Sequence, residues 1–267
     1  MHDILDLDRF PIDQPDTPEY AALVAQCQMA LVEDGMYNLV GFLRLEHAQS
    51  AADTLKPEIA SKSFTHNRQH NIYFNKELAC LPADHPALTE FQTINHTLCA
   101  DQLVKNTVTK IYQWQPLVAF LALTMGKEKL FTMDDPLAKI NVMAYQAGET
   151  LNWHFDRSEF TTTLLLQAPE SGGHFEYRTN LRTADDPNYD GVAKLLRGED
   201  PKLKSITPKP GTLNVFRGIN TPHRVTEIRG DRDRIIAVYS FYDRSGVIFS
   251  PEEQIGFYGR TTAAQGA

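Results

Sequence analysis

The hydrophobic period of the chain changes at about Lys139, and that change limits the fold more than any other feature. From there to about Asp243, apolar residues alternate with polar ones in short runs: "KINVMAY", "TLNWHFD", "FTTTLLLQ", "GHFEYR", "TLNVFR", "HRVTEI" and "RIIAVYSFY". Turn signals at "QAGE", "SGG", "KPG" and "RGDRD" separate them. Many short strands joined by Gly-containing turns predict a double-sheet jelly roll or a barrel. Between Thr183 and Lys204 an acidic, Pro-containing loop interrupts the strands, with "YDGVAKLLRG" as a short helix inside it.

Upstream the period is helical. In "DTPEYAALVAQCQMALVEDG", Asp16 or Thr17 caps a helix that has Pro18 in its first turn, and Gly35 stops it. A short strand, "MYNLVGF", should follow. Further helical patterns are expected at "LEHAQSAADTL", "PALTEFQTINHTLCADQLV" and "QPLVAFLALTMG", with "SFTHNRQHNIYFN" as a polar loop between the first two. No linker divides the halves. The expectation is one domain over 1–267: a mainly helical part (1–137) packed on one outer sheet, a jelly-roll core (138–245) and a tail (246–267) that folds over the mouth of the core.

Composition narrows the partners. A formal charge of -8 gives neither nucleic acid nor an anionic membrane a basic face to bind. Cys27, Cys80 and Cys99 form no disulfide framework and no CxxC knuckle, which suits a reducing compartment. The acidic N-terminus carries no apolar run suited to a signal or a membrane span, so a cytoplasmic location is expected. A small-molecule partner fits best, with a homodimer as the assembly to test.

In "NWHFDRSEF", His154 and Asp156 stand two apart on an expected strand, where i and i+2 point to one side. An imidazole and a carboxylate on one face supply two members of the two-His, one-carboxylate set that holds non-haem Fe(II). Among the other histidines, most lie in termini, loops or helix-like segments, and His174 follows too closely. His223 opens a strand after a Pro-Gly turn, an apolar strand and a loop, and is the third ligand expected. Arg234 follows the Gly230 turn and leads into the last long strand. Its planar guanidinium suits the distal carboxylate of 2-oxoglutarate, with Arg232 as rival and a turn ion pair to Asp231 or Asp233 as the plainer role.

With these residues in order, the chain resembles the Fe(II)/2-oxoglutarate dioxygenase superfamily through "YQAGETLNWHFD", "PKPGTLNVFRGINTPHRV" and "GDRDRIIAVYSFYD". The N-terminal "DRFPIDQPDTPEYAALVAQCQMALVEDGMYNLVGFL" is similar to the branch of radical halogenases of free amino acids, such as lysine, and their hydroxylating relatives. The resemblance implies a double-stranded β-helix, a cupin-like jelly roll. Its cofactor would be Fe(II), its cosubstrates 2-oxoglutarate and O2, and its coproducts succinate and CO2. It further implies hydrogen abstraction at an Fe(IV)-oxo unit followed by hydroxyl rebound. The halogenases put Gly or Ala at the carboxylate position to admit chloride; Asp156 stands there in this chain, so hydroxylation is expected.

For cosubstrate and substrate the sequence offers candidates of ordinary residue types. Tyr145 and Asn141 share a strand face before the His154 segment, with Tyr145 as pocket wall or cosubstrate contact. Arg68, with His66 and Asn71 beside it, is a candidate clamp for a substrate carboxylate; a solvated loop is its plainer role. Arg157 and Glu159 leave the His154 strand at the mouth, Glu159 as a partner for an ammonium. Phe257 or Tyr258 is a candidate aromatic cover, with an ordinary packed tail as the plainer role. Thr163 and Arg217 are weaker candidates. The small free amino acid or polar metabolite competes with a protein- or carrier-bound residue as substrate, and with a cupin-like metal-binding sensor that does no redox work.

Overall fold

In a computed structural model, which describes residues 1–75, 78, 81–103 and 106–262, helix α1 (Pro18–Glu33) starts at the Thr17 cap. The Thr17 hydroxyl accepts the Tyr20 N–H at 3.2 Å, and Pro18, with no N–H to leave unpaired, takes the first turn. Strand β1 (Met36–Leu39) follows, then α2 (Leu45–Lys62), which runs past its expected end. The next two segments correct the sequence reading. The expected polar loop is strand β2 (Phe64–His70), and the middle of the expected helix at "PALTEFQTINHTLCADQLV" is strand β3 (Phe91–Cys99). The two pair antiparallel from Phe64 opposite Thr97 to His70 opposite Phe91. Helices α3 (Thr107–Tyr112) and α4 (Gln115–Thr124) complete this half. Cys80 lies outside the described residues.

The second half is strand-rich, as its period of two requires. Strands β4 (Ile140–Tyr145), β5 (Leu151–His154), β6 (Thr161–Gln167) and β7 (Phe175–Tyr177) precede α5 (Tyr189–Leu196). Strands β8 (Lys204–Ile206), β9 (Leu213–Phe216), β10 (His223–Val225) and β11 (Arg234–Tyr239) follow, and α6 (Pro251–Tyr258) closes the described chain. A seven-stranded sheet has the order β1-β9-β6-β11-β4-β3-β2, and a four-stranded sheet the order β8-β7-β10-β5. The fold is mainly β, a double-sheet jelly roll of the double-stranded β-helix type, and β1 to β3 of the N-terminal half extend its larger sheet.

Alternation along each strand divides two cores. On the larger sheet, Val142, Ala144, Leu164, Ile235 and Ala237 face outward onto Cys27, Leu55 and Leu121 of the helices. The intervening Tyr145, Leu165 and Ile236 face inward and meet Phe175, Tyr177 and Val225 of the smaller sheet. Full burial of each large apolar side chain contributes about 1.5–3 kcal/mol. A one-residue slip would exchange the two faces, so both cores fix the register. Trp153 and Phe155 turn away from His154 into a separate cluster with Val192 and Leu195 of α5.

A buried carboxylate helps to tie down the tail. Asp135, fully buried, accepts the backbone N–H groups of Leu137, Ala138 and Phe249 and the side-chain amide of Gln254. Ser250 and Glu253 form a capping box that starts α6. Among the described residues no helix is long and apolar enough to cross a membrane.

Candidate metal centre and substrate groove

Strand β10 lies beside β5 with His223 directly opposite His154, which brings the two imidazoles to 4.2 Å between ring centroids. Strand β5 ends at His154, so Asp156 is not placed by the strand alternation expected for it. Backbone bonds beyond the strand end place it instead: the Phe155 N–H donates to Ile72 O, and the Asp156 N–H donates to Gly218 O at 3.1 Å. Asp156 Oδ1 then lies 3.3 Å from His154 Nε2 and 3.6 Å from His223 Nε2. One ligand atom from each of His154, Asp156 and His223 lies within 4.8 Å of the others, a group able to hold a metal ion.

The ring nitrogens are assigned by their partners. His154 Nδ1 is 2.8 Å from Asn152 O and His223 Nδ1 is 3.0 Å from Thr221 O. A carbonyl oxygen only accepts, so both Nδ1 atoms carry hydrogen and a neutral ring keeps its lone pair on Nε2. Burial pushes His223 down to about 4, against the attraction of Asp156 and helped by His154, so its ring is neutral at pH 7. Burial acts to raise the Asp156 carboxyl, but His223, His154 and the Thr161 hydroxyl outweigh it and hold the group well below the usual carboxylate range. Thr161 donates to Asp156 Oδ2 at 2.5 Å. Two imidazoles that turn Nε2 toward one ionised carboxylate form a donor set suited to a divalent first-row metal.

Arg234 opens β11 opposite Tyr145, the last residue of β4. Gly230, at φ +89°, makes the preceding turn, a conformation that L side chains resist. The guanidinium is buried, lies 5.6 Å from the Tyr145 ring centroid, and has no carboxylate partner among the described residues. The expected turn ion pair to Asp231 or Asp233 does not form. The rival Arg232 stays exposed and donates to the carbonyls of Ala168 and Pro169. Burial lowers the Arg234 pKa and Tyr145 partly offsets this, while burial pushes the Tyr145 phenol up to about 12. A buried, unpaired, fork-shaped cation is the complement of a carboxylate.

The other candidates separate. Asn141 shares the inward face with Tyr145, but its amide donates to Leu137 O and Ile140 O and its oxygen accepts from Tyr258, so it ties α6 to the sheet. Tyr258 is buried by that bond and is not a surface cover. The Asn71 side chain bonds within its own loop, to Tyr73 and Asn75. Glu159 pairs with Lys127 at 2.6 Å. Arg68 and His66, on the inward face of β2, line a groove of about 470 Å³ with Arg157, Glu253 and Phe257. Arg157 donates to Glu253 at 2.8 Å, while Arg68 has no carboxylate partner among the described residues and lies over the Phe74 ring at 4.7 Å.

Several residues of the site were invisible to sequence reasoning. Phe74 stacks on His70 at 4.4 Å and stands 5.8 Å from the His154 ring, with a φ of 55° unusual for an aromatic. Arg182 packs 3.9 Å over Phe155 and donates to Ile219 O, bracing the loop that carries Gly218. Glu253, not Glu159, supplies the groove's carboxylate; the capping box around Ser250 was the signal that could have placed it on a helix.

Residues 85–247 match the family described as Halogenase D. No curated protein matches the chain. Among solved structures, an oxidoreductase of the 2OG-Fe(II) oxygenase family from Burkholderia pseudomallei is 16% identical, covers 84% of this chain and 92% of its own, and superposes with a TM-score of 0.52. A prolyl-4-hydroxylase from Pseudomonas putida is 15% identical, with 83% and 99% covered and a TM-score of 0.52. The epimerase SnoN, solved with Fe3+, α-ketoglutarate and nogalamycin RO, is 13% identical, with 84% of each chain covered and a TM-score of 0.55. At these identities the likeness is one of fold.

Proposed function

The chain belongs to the Halogenase D family, and from that membership we propose that it is an Fe(II)/2-oxoglutarate-dependent hydroxylase of a small free amino acid or a related polar metabolite. The observation that carries the reading is the Asp156 carboxylate beside the Nε2 atoms of both His154 and His223. Fe(II) held by these three residues would, with 2-oxoglutarate and O2, supply the oxidation of an unactivated C–H bond, releasing succinate and CO2.

The chain's own part is binding, orientation and exclusion. His154 and His223 present lone pairs fixed by their Nδ1 bonds, so neither ring can turn away without leaving a buried N–H unpaired. Arg234, backed by Tyr145, takes the distal carboxylate of 2-oxoglutarate, the acceptor its buried fork lacks. At the groove, Arg68 takes a substrate carboxylate and the Glu253 carboxylate faces a substrate ammonium, with Phe74 as an apolar wall between the groove and His154. Asp156 fills the position that a halide would need, which favours hydroxylation over halogenation within this family.

The experiment is a panel of free amino acids, and the same residues tethered to a carrier, incubated with Fe(II), 2-oxoglutarate, O2 and chloride, with products read by mass. Succinate and a gain of one oxygen on a free amino acid are expected. Chlorinated product would overturn the role given to Asp156, and product only on tethered residues would move the substrate to a carrier. No weak visible band on adding 2-oxoglutarate to the anaerobic Fe(II) protein would replace the enzyme by a non-redox metal-binding sensor.

A further inference from the structure

We propose that Gly218 is the residue that lets Asp156 reach the metal position, and that a methyl group there would turn the three-ligand site into a two-histidine site open to a small anion. The second half rests on the metal-site reading above; the first does not.

A Cβ at position 218 would lie 2.0 Å from Asp156 Oδ2, 2.6 Å from its Cγ and 2.8 Å from its Cβ. These three nearest atoms all belong to one side chain. The Gly218 backbone is outside the left-handed region, so its own conformation admits any L residue. What excludes a side chain is the side chain of Asp156, its Cβ as well as its carboxylate.

The two positions cannot relieve the clash by parting. Asp156 N–H donates to Gly218 O, Arg182 Nε donates to the next carbonyl, Ile219 O, at 2.7 Å, and the Arg217 N–H donates to Gly35 O at 2.9 Å. Three bonds therefore hold this backbone, whereas among the described residues only the Thr161 hydroxyl bonds Oδ2 of Asp156. The softer coordinate is rotation of the Asp156 side chain, which relieves the two carboxylate contacts and carries Oδ1 away from both Nε2 atoms; the remaining contact, to the Asp156 Cβ, needs a further small shift at the loosely tethered Asp156 end. Glycine at 218 and aspartate at 156 thus act as one steric unit: the glycine is needed because the aspartate side chain is present, and a chain with glycine at 156 carries no such requirement.

The test compares wild type, Gly218→Ala, Asp156→Gly and the double variant. In thermal unfolding without metal, Gly218→Ala should lower Tm in the wild-type background. In the Asp156→Gly background it should leave Tm unchanged or raise it slightly, since alanine restricts the unfolded chain. Equal lowering in both backgrounds, or none in either, would overturn the steric unit. With Co(II) as probe, Gly218→Ala should bind about 10- to 100-fold more weakly than wild type. With saturating 2-oxoglutarate present, its visible spectrum should shift with azide or chloride as that of Asp156→Gly does, at anion concentrations where wild type, with one open position fewer, stays unmoved. Wild-type affinity or an anion-insensitive spectrum in Gly218→Ala would overturn the second half. Failure of wild type to bind Co(II) would sink the metal-site reading itself, and the unfolding cycle would still decide the first half.

Discussion

Burying Arg234 strands a permanently charged guanidinium against the Tyr145 ring. Such a residue costs the ligand-free protein desolvation energy that Tyr145 offsets in part and a bound anion offsets further. Replacing it should therefore move binding and stability in opposite directions. Arg234→Met should weaken 2-oxoglutarate binding by about 1.5–3 kcal/mol, roughly 10- to 150-fold, as expected for hydrogen bonds to a charged group. The same change should raise the Tm of the ligand-free protein. Titration calorimetry of the Co(II)-loaded protein and thermal unfolding read the two effects, and a variant that binds 2-oxoglutarate like wild type would remove Arg234 from the cosubstrate site. At this scale the sequence was legible where chemistry is rare. A histidine, an aspartate, a second histidine and an arginine in strand order could be read because few core positions take such residues. Gly218, Thr161 and Phe74 could not be read, since their contribution is space, one hydroxyl bond and a ring face, each defined only by a neighbour far away in sequence.

Strand β3 shows why an element can be misread when its residues are plain. Phe91, Ile94 and Leu98 recur at three and four residues and imitate a helix face. In the fold Thr93, Asn95 and Thr97 are the buried inward set, and Thr97 lies opposite Met143 on the face that carries Tyr145. A strand that presents its polar side to a functional cavity inverts the usual pattern, so hydrophobic periodicity points the wrong way. The regular strands from β4 onward, with apolar residues on at least one packed face, were legible for the opposite reason. The same scale governs the tail. Helix α6 places Glu253 and Phe257 at the groove, yet it is held from behind by Asp135 through Phe249 and Gln254. Asp135→Ala would leave four buried donors without an acceptor, at about 1–3 kcal/mol each before relaxation. The expected outcome is a loss of about 3 kcal/mol or more in urea unfolding, with new protease cleavage between residues 243 and 250. An unchanged urea midpoint would show that the tail is held by its apolar contacts and its other polar ties, such as Tyr258 to Asn141.

Across the whole molecule, the buried thiols and phenols share one bias. Burial pushes the Cys27 and Cys99 thiols up to about 12. It does the same to the Tyr145 phenol, where Arg234 opposes the shift and Glu149 adds to it. The phenols of Tyr37, Tyr112, Tyr239 and Tyr258 are also raised, burial again being the largest cause. In the unfolded chain thiols ionise near pH 8.5 and phenols near 10. As pH rises past about 8.5, the folded state therefore holds more protons than the unfolded state, and the stability of the fold must fall with further increase. The stability conferred by these neutral groups is fully present below that pH and is lost on the way to about 12. The chain already carries a formal charge of -8, so each new thiolate or phenolate adds to a repulsion that favours expansion. Alkaline titration of the metal-free protein should accordingly show tyrosinate absorbance and loss of near-ultraviolet circular dichroism rising together in one cooperative step. The midpoint should move to higher pH as temperature is lowered from Tm toward the stability maximum. If instead the tyrosines titrated independently around pH 10 while the near-ultraviolet signal persisted, the two packed cores would have to be far more permeable to water than their burial describes.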